Sequence, residues 1–231
     1  MLSSLTLPAM SAEHLSLNLP YEYSDFIPQE KDKYFYDYAV LDTILNEAGV
    51  PSEIELIASS TLKETIQEYS LIFKRAGFKL KTAIPDELAY MNIIRNYVEN
   101  GGSANAGYCL IDLGHTATRL FIFKGTKHQA TRVVEYGIAM LDAAISEALG
   151  VDEHIARTHK QANTNNILDS DSCKKVYSNI SIEVMRAINF YRFSAQDNNL
   201  DEVYIMGSGA KIPGIAKQLA ADLDMPVLSI E

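Results

Sequence analysis

Asp112, Gly114, Thr116 and Thr118 stand close together in Asp112-Leu113-Gly114-His115-Thr116-Ala117-Thr118, between the apolar runs Tyr108–Ile111 and Leu120–Phe123. A carboxylate, a glycine and two hydroxyls in this order suit a strand-turn-strand whose tip offers backbone N–H groups to phosphate oxygens. The carboxylate would hold a magnesium ion directly or through water. Asp before Gly also makes an ordinary turn, and threonine is an ordinary hairpin residue, so the four gain meaning only from their order. A second turn, Gly207-Ser208-Gly209-Ala210, follows the strand-like Glu202–Met206 and precedes Pro213, a helix-opening residue. Missing side chains there let a sugar or phosphate approach the backbone, although any strand-to-helix connection can need glycine. Glu183 and Arg186 lie three apart on a predicted helix, where they either bracket an adenine or ribose or simply pair with each other. Taken together, the two turns suit one nucleotide gripped from two sides.

The other reactive side chains form no comparable pattern. His154 and His159 are wrongly spaced for a helical zinc pair, and His115 has no second base or orienting acid beside it, so no catalytic residue is assigned. Cys109 and Cys173 are the only cysteines, too few for a disulfide framework and unsuited to a zinc site. A formal charge of -10, from 30 acidic and 20 basic residues, excludes the basic face that a nucleic-acid partner requires. No apolar run approaches the ~20 residues that span a bilayer, and no basic stretch precedes an apolar signal core. The expectation is a cytoplasmic protein without direct membrane insertion. Tyr21, Tyr23, Tyr34, Tyr36 and Tyr38 read as strand-face packing or as a docking patch, which solvent exposure decides.

The elements that must position the two turns follow from periodicity. Tyr34–Leu41 and Glu53–Ser59 alternate as half-buried strands. Thr61 and Glu64 suit a capping box for a helix bearing Leu62, Ile66, Tyr69 and Phe73 and ending at Gly77. A strand over Phe78–Ile84 would complete a βαβ-like unit, making residues 1–84 a small α/β subdomain and 85–231 a second domain. Pro85 opens a helix to about Val98, and the Gly101-Gly102 loop leads into three antiparallel strands, Tyr108–Asp112, Thr118–Lys124 and Gln129–Glu135. An apolar-faced helix over 138–149 closes at Gly150, and a short polar helix starts at Asp152. Residues 161–172, rich in Asn, Asp and Ser, predict a mobile loop within a helical insert of about 150–180. A long helix over 174–193 and a short strand over 226–230 complete an α/β (α+β) fold with a mixed sheet.

Read in order, the Asp-x-Gly-x-x-x-Thr hairpin, the helical Glu183-x-x-Arg186 and Gly207-Ser208-Gly209-Ala210 resemble the actin-like ATPase superfamily, with its ribonuclease H-like fold. Within it the chain resembles the PilM family of type IV pilus assembly proteins, relatives of the division protein FtsA. Leu7-Pro8-Ala9-Met10-Ser11, Phe26-Ile27-Pro28, Asp37-Tyr38-Ala39-Val40-Leu41, Ile188-Asn189-Phe190-Tyr191-Arg192 and Met206-Gly207-Ser208-Gly209-Ala210-Lys211-Ile212-Pro213-Gly214 carry that likeness. The resemblance implies ATP and Mg2+ as ligands, with Asp112, Gly114, Thr116 and Thr118 as a phosphate element. Glu183 and Arg186 become adenosine contacts, and Gly207, Ser208, Gly209 and Ala210 the adenosine turn. It further implies a cytoplasmic scaffold that recruits an inner-membrane partner of the PilN type, with residues 1–83 mediating self-association or partner contacts. The family's N-terminal Asp-x-Gly element has no counterpart before Leu5, and Leu5–Ser11 reads as a strand end running into a helix cap. An upstream segment is therefore expected, and with half the phosphate clamp lacking, at most weak hydrolysis. Two other readings stand beside this one: an FtsA-like division protein, which lacks its amphipathic membrane helix here, and a sugar or acetate kinase, which would need a base in a substrate cleft.

Overall fold

A computed structural model describes residues 2–194 and 199–229. The chain divides into two compact units that meet between Leu88 and Ala89. In the first, β1 (Leu2–Pro8), β2 (Tyr34–Leu45) and β3 (Pro51–Leu62) form an antiparallel sheet in the order β1-β3-β2. Period-two alternation sends Ile54, Leu56 and Ala58 of the central strand, with Leu7, toward α1 (Ala12–Glu22), whose Leu15 and Leu19 complete a small core with Tyr23. Ser11 caps α1 by accepting from the His14 amide at 3.3 Å. Most of the tyrosines pack: Tyr23 and Tyr34 are buried, and Tyr36 lies 5.9 and 6.3 Å from their rings. Tyr21 is exposed beneath the Lys31 ammonium, 3.3 Å from its ring centroid.

Three expectations for this unit are corrected. Residues 78–84 form no strand, because they pair with no other strand among the described residues; the unit is an antiparallel sheet with two helices and contains no βαβ crossover. Thr61 belongs to β3, opposite Phe35, so helix α2 (Lys63–Arg75) starts from Leu62 with no side-chain cap. Apart from the half-buried Ile66, the apolar residues of α2 are exposed, Tyr69, Ile72 and Phe73 among them. Helical spacing predicts the helix, but burial also requires a partner surface.

Helix α3 (Asp86–Glu99) carries the chain into the second unit. There β4 (Gly107–Leu113), β5 (Thr118–Lys124), β6 (Lys127–Val134), β7 (Glu202–Met206) and β8 (Val227–Ser229) form a mixed sheet in the order β6-β5-β4-β7-β8. The β4-β5-β6 meander is antiparallel, turned at Gly125 (φ +54), and β7 and β8 add in parallel. Both faces of β4 are covered, as its unbroken apolar run requires. Cys109, Ile111 and Leu113 face α4 (Ala139–Leu149), α6 (Asp171–Ser194) and α7 (Pro213–Asp222) through Leu141, Ile145, Ile180, Val184, Ile215 and Leu219. Tyr108 alternates to the other side, where α3 lays Tyr97 5.8 Å from Tyr108 and 5.7 Å from Tyr204, and Tyr90 4.3 Å from Phe121.

Helix α5 (Glu153–Ala162), capped by Asp152, is followed by built turns where a mobile loop is predicted. Asn163, Asn165 and Asn166 take left-handed conformations (φ 46, 54 and 56), which asparagine tolerates, and Asn163 Oδ1 accepts from the Leu168 amide at 3.0 Å. Helix α6 consequently begins at Asp171, ahead of the expected Lys174. Ile230, in the predicted last strand, lies outside the described residues.

Candidate functional site

β4 and β7 are parallel neighbours with Asp112 opposite Met206, so the chain leaves both strands at the same end of the sheet. Ligands of open α/β sheets gather at the carboxyl ends of such strands. The two glycine turns predicted from sequence are thereby side by side. A Cβ on Gly207 would lie 2.3 Å from Asp112 Oδ1 and 3.0 Å from the Leu113 carbonyl, and Gly207 has φ +83. One on Gly209 would lie 2.7 Å from Leu113 Cβ and 2.8 Å from Ile138 Cγ2. Gly137 completes the junction: its missing Cβ would meet the His115 carbonyl oxygen at 2.3 Å. Beyond it, the Ile138 amide donates to the Gly114 carbonyl at 3.1 Å and the Ala139 amide to that of His115 at 2.8 Å. Hairpin, glycine turn and the start of α4 form one backbone cradle.

Asp112, half-buried, lies on the α3 face of β4, where the Tyr90 hydroxyl stands 3.5 Å from Oδ2. Gly114 supplies proximity more than a donor, because its N–H is taken by the Ala117 carbonyl at 3.1 Å. His115 and Thr116 are exposed at the tip, and Gly207 and Ser208 are exposed beside it, whereas Gly209 is buried. Thr118 is fully buried and donates Oγ1 to the Tyr136 carbonyl at 2.7 Å, so its hydroxyl shapes the hairpin instead of facing a ligand. Thr118→Val should lower stability by about 1–3 kcal/mol, read from a urea midpoint, and leave ligand affinity unchanged.

Glu183 and Arg186 are not brought to the turns. They pair with each other, with Arg186 largely exposed. Glu183 lies ~18 Å along the axis from Asp171 at the helical rise, and α6 must end opposite the site because β7 starts there. Neighbouring contacts agree: Tyr177 packs on Gly214 in the first turn of α7, while Ser181 is already level with Asp222 in its last. The spacing signal was that of the ordinary ion pair.

At the site end of α6 the surface holds a depression of about 440 Å³ lined by Asp171, Ser172, Lys174, Lys175 and Ser178. One carboxylate, two ammonium groups and hydroxyls on successive turns make it polar; it opens on the solvent side of α6, opposite the buried Tyr177 that packs on the helix following the glycine turn. Sequence reading passed over it by assigning residues up to Ser172 to a loop; Asp171, Lys174 and Ser178 at helical spacing are the signal that could have found it.

Among the described residues no three His, Cys, Asp or Glu side chains gather as metal ligands. A lone Asp112 fits magnesium, which keeps several waters and needs only one or two carboxylates when phosphates supply the remainder. Full burial pushes the Cys109 thiol up to about 12, so it has no nucleophilic role.

This strand order, with a hairpin and a glycine turn meeting at the end of the parallel pair, defines an actin-like protein. The family profile described as type IV pilus assembly protein PilM matches residues 4–231, and the chain belongs to that family. Among solved structures, one of a PilM-PilN type IV pilus biogenesis complex superposes with a TM-score of 0.80 at 19% identity, covering 100% of this chain. This chain spans 66% of the length of that one. The ethanolamine utilization protein EutJ from Carboxydothermus hydrogenoformans matches at TM-score 0.55 and 18% identity, over 73% of this chain and 57% of that one. MreB5 of Spiroplasma citri, solved bound to ADP, matches at TM-score 0.50 and 16% identity, over 74% and 61%.

Proposed function

We propose that this chain is a nucleotide-binding scaffold of type IV pilus assembly, which binds ATP with Mg2+ and recruits an inner-membrane partner of the PilN type. The observation that carries this reading is the junction of Asp112 with Gly207, which places a carboxylate, a hairpin tip and a side-chain-free turn at one end of the sheet. In this reading Thr116 and the hairpin tip face the phosphates, Asp112 holds the magnesium ion, and Gly207, Ser208, Gly209 and Ala210 lie along the sugar. Glu183 and Arg186, paired with each other, take no part in it. Magnesium would neutralise the phosphate charge next to an acidic chain of net charge -10. The partner belongs to this proposal by likeness to the PilM-PilN complex. No helix among the described residues is long and apolar enough to cross a membrane, so the proposed place at the inner face of the cell membrane comes through that partner.

Calorimetric titration of magnesium ATP into the purified chain tests the reading. Saturable, magnesium-dependent binding is expected. Asp112→Ala should weaken it by about tenfold or more, the loss of a charge-assisted contact, and Glu183→Ala should leave it unchanged. Absence of saturable binding to the folded wild-type chain overturns the reading.

A further inference from the structure

Asp142 and Lys160 are charged side chains that the proposed ligand contacts do not use, and both are buried. Their side chains are 2% and 9% exposed, with Lys160 Nζ 2.7 Å from Asp142 Oδ1. Arg157, 45% exposed, approaches Asp142 Oδ2 from the rim at 3.4 Å. Such a pair is a poor source of stability, since desolvating two charges offsets their attraction. Its placement suggests another use. Asp142 stands in the first turn of α4, and Lys160 Nζ also reaches the Ile138 carbonyl at 3.4 Å. Ile138 is the residue whose amide holds the Gly114 carbonyl and whose Cγ2 fills the space left by Gly209. Lys160 itself lies near the end of α5, from which the asparagine turns lead to the polar depression on α6.

We propose that Lys160 is a positioning residue of the nucleotide site: through Asp142 and the Ile138 carbonyl it clamps the first turn of α4, and with it the hairpin tip, to α5. The role rests on the nucleotide reading given above, while the clamp is a property of the unliganded protein. A ligand seated on the hairpin tip and the glycine turn would thus meet surfaces already held in register. An apolar pair could fill the same volume but would release the Ile138 carbonyl.

Hydrogen exchange on the ligand-free full chain separates this role from simple packing. In the double variant Asp142→Leu/Lys160→Met, the Ile138 and Ala139 amides should exchange at least about tenfold faster while those of Leu110 and Ile111 keep their protection, as local opening predicts. Magnesium ATP affinity should fall in the same variant, and the single variant Lys160→Arg, which keeps Asp142 and a charged donor, should hold both near wild type. Lys160→Gln, which keeps a donor for the Ile138 carbonyl, serves if the double variant fails to fold; it should retain more protection at Ile138 than Lys160→Met. Unchanged protection at Ile138 and Ala139, or an equal loss at every amide, overturns the clamp. Failure of the wild-type chain to bind magnesium ATP would instead sink the nucleotide reading, leaving the exchange result to judge the clamp.

Discussion

Gly207→Val should abolish magnesium ATP binding and destabilise the second unit by ~3 kcal/mol or more, the combined cost of a strained backbone and an overpacked contact. Gly207 has φ 83 and ψ -178, a region essentially reserved for glycine. Its new side chain would start 2.3 Å from Asp112 Oδ1, and the Leu113 backbone closes the escape at 3.0 and 3.1 Å. Either the carboxylate swings out of the cradle or β7 slides against β4, and both remove the proposed magnesium ligand from the hairpin. A urea midpoint and a calorimetric titration measure the two effects. Wild-type stability together with wild-type binding would mean that Gly207 and Asp112 do not meet as described.

Gly137→Ala comes second. Its Cβ would meet only backbone, the His115 carbonyl oxygen at 2.3 Å, His115 C at 2.6 Å and Thr116 C at 2.6 Å, so no flexible side chain can yield. The tip must shift away from α4 or lose the bonds from Ile138 and Ala139 that hold it. Since displacement of a positioned group by ~1 Å can cost about a hundredfold, affinity for magnesium ATP should fall by about that factor. The far-ultraviolet spectrum should stay native, because the strands themselves are untouched. Retained affinity would show that the tip takes no part in binding.

What sequence revealed of the fold was strongest where local pattern and tertiary burial agree. The run Tyr108–Ile111 is apolar on successive residues because β4 is covered on both faces, and Gly125 and Gly150 mark turns whose positive φ only glycine takes easily. Phe78–Ile84 has strand composition but finds no ladder, and pairing is not encoded in composition. The asparagines around 165 suggest a mobile loop, yet their left-handed turns are held by a local hydrogen bond. For the candidate site, residue order suggested that the turns belong together, and parallel pairing of β4 with β7 explains how. The i, i+3 spacing of Glu183 and Arg186 matches the ion pair they form; their adenosine role is assigned only by the resemblance, and a local spacing says nothing about height along a long helix. No spacing marks Asp142 and Lys160, which become partners only once α5 folds back on α4.

The parallel seam between β4 and β7 has a kinetic meaning. At its start Gly107 donates to Asp201 Oδ2 at 2.7 Å across 94 residues of sequence. The β4-β5-β6 meander can close through neighbouring turns as soon as it exists, whereas β7 must wait for α4, α5 and α6 to be made and packed. Closing so distant a pair is slow because loop entropy is lost before the contact is gained. The hairpin half of the cradle therefore forms early and stands empty on a growing chain, and its glycine half arrives last. Nucleotide capture would then report that the second unit has finished folding.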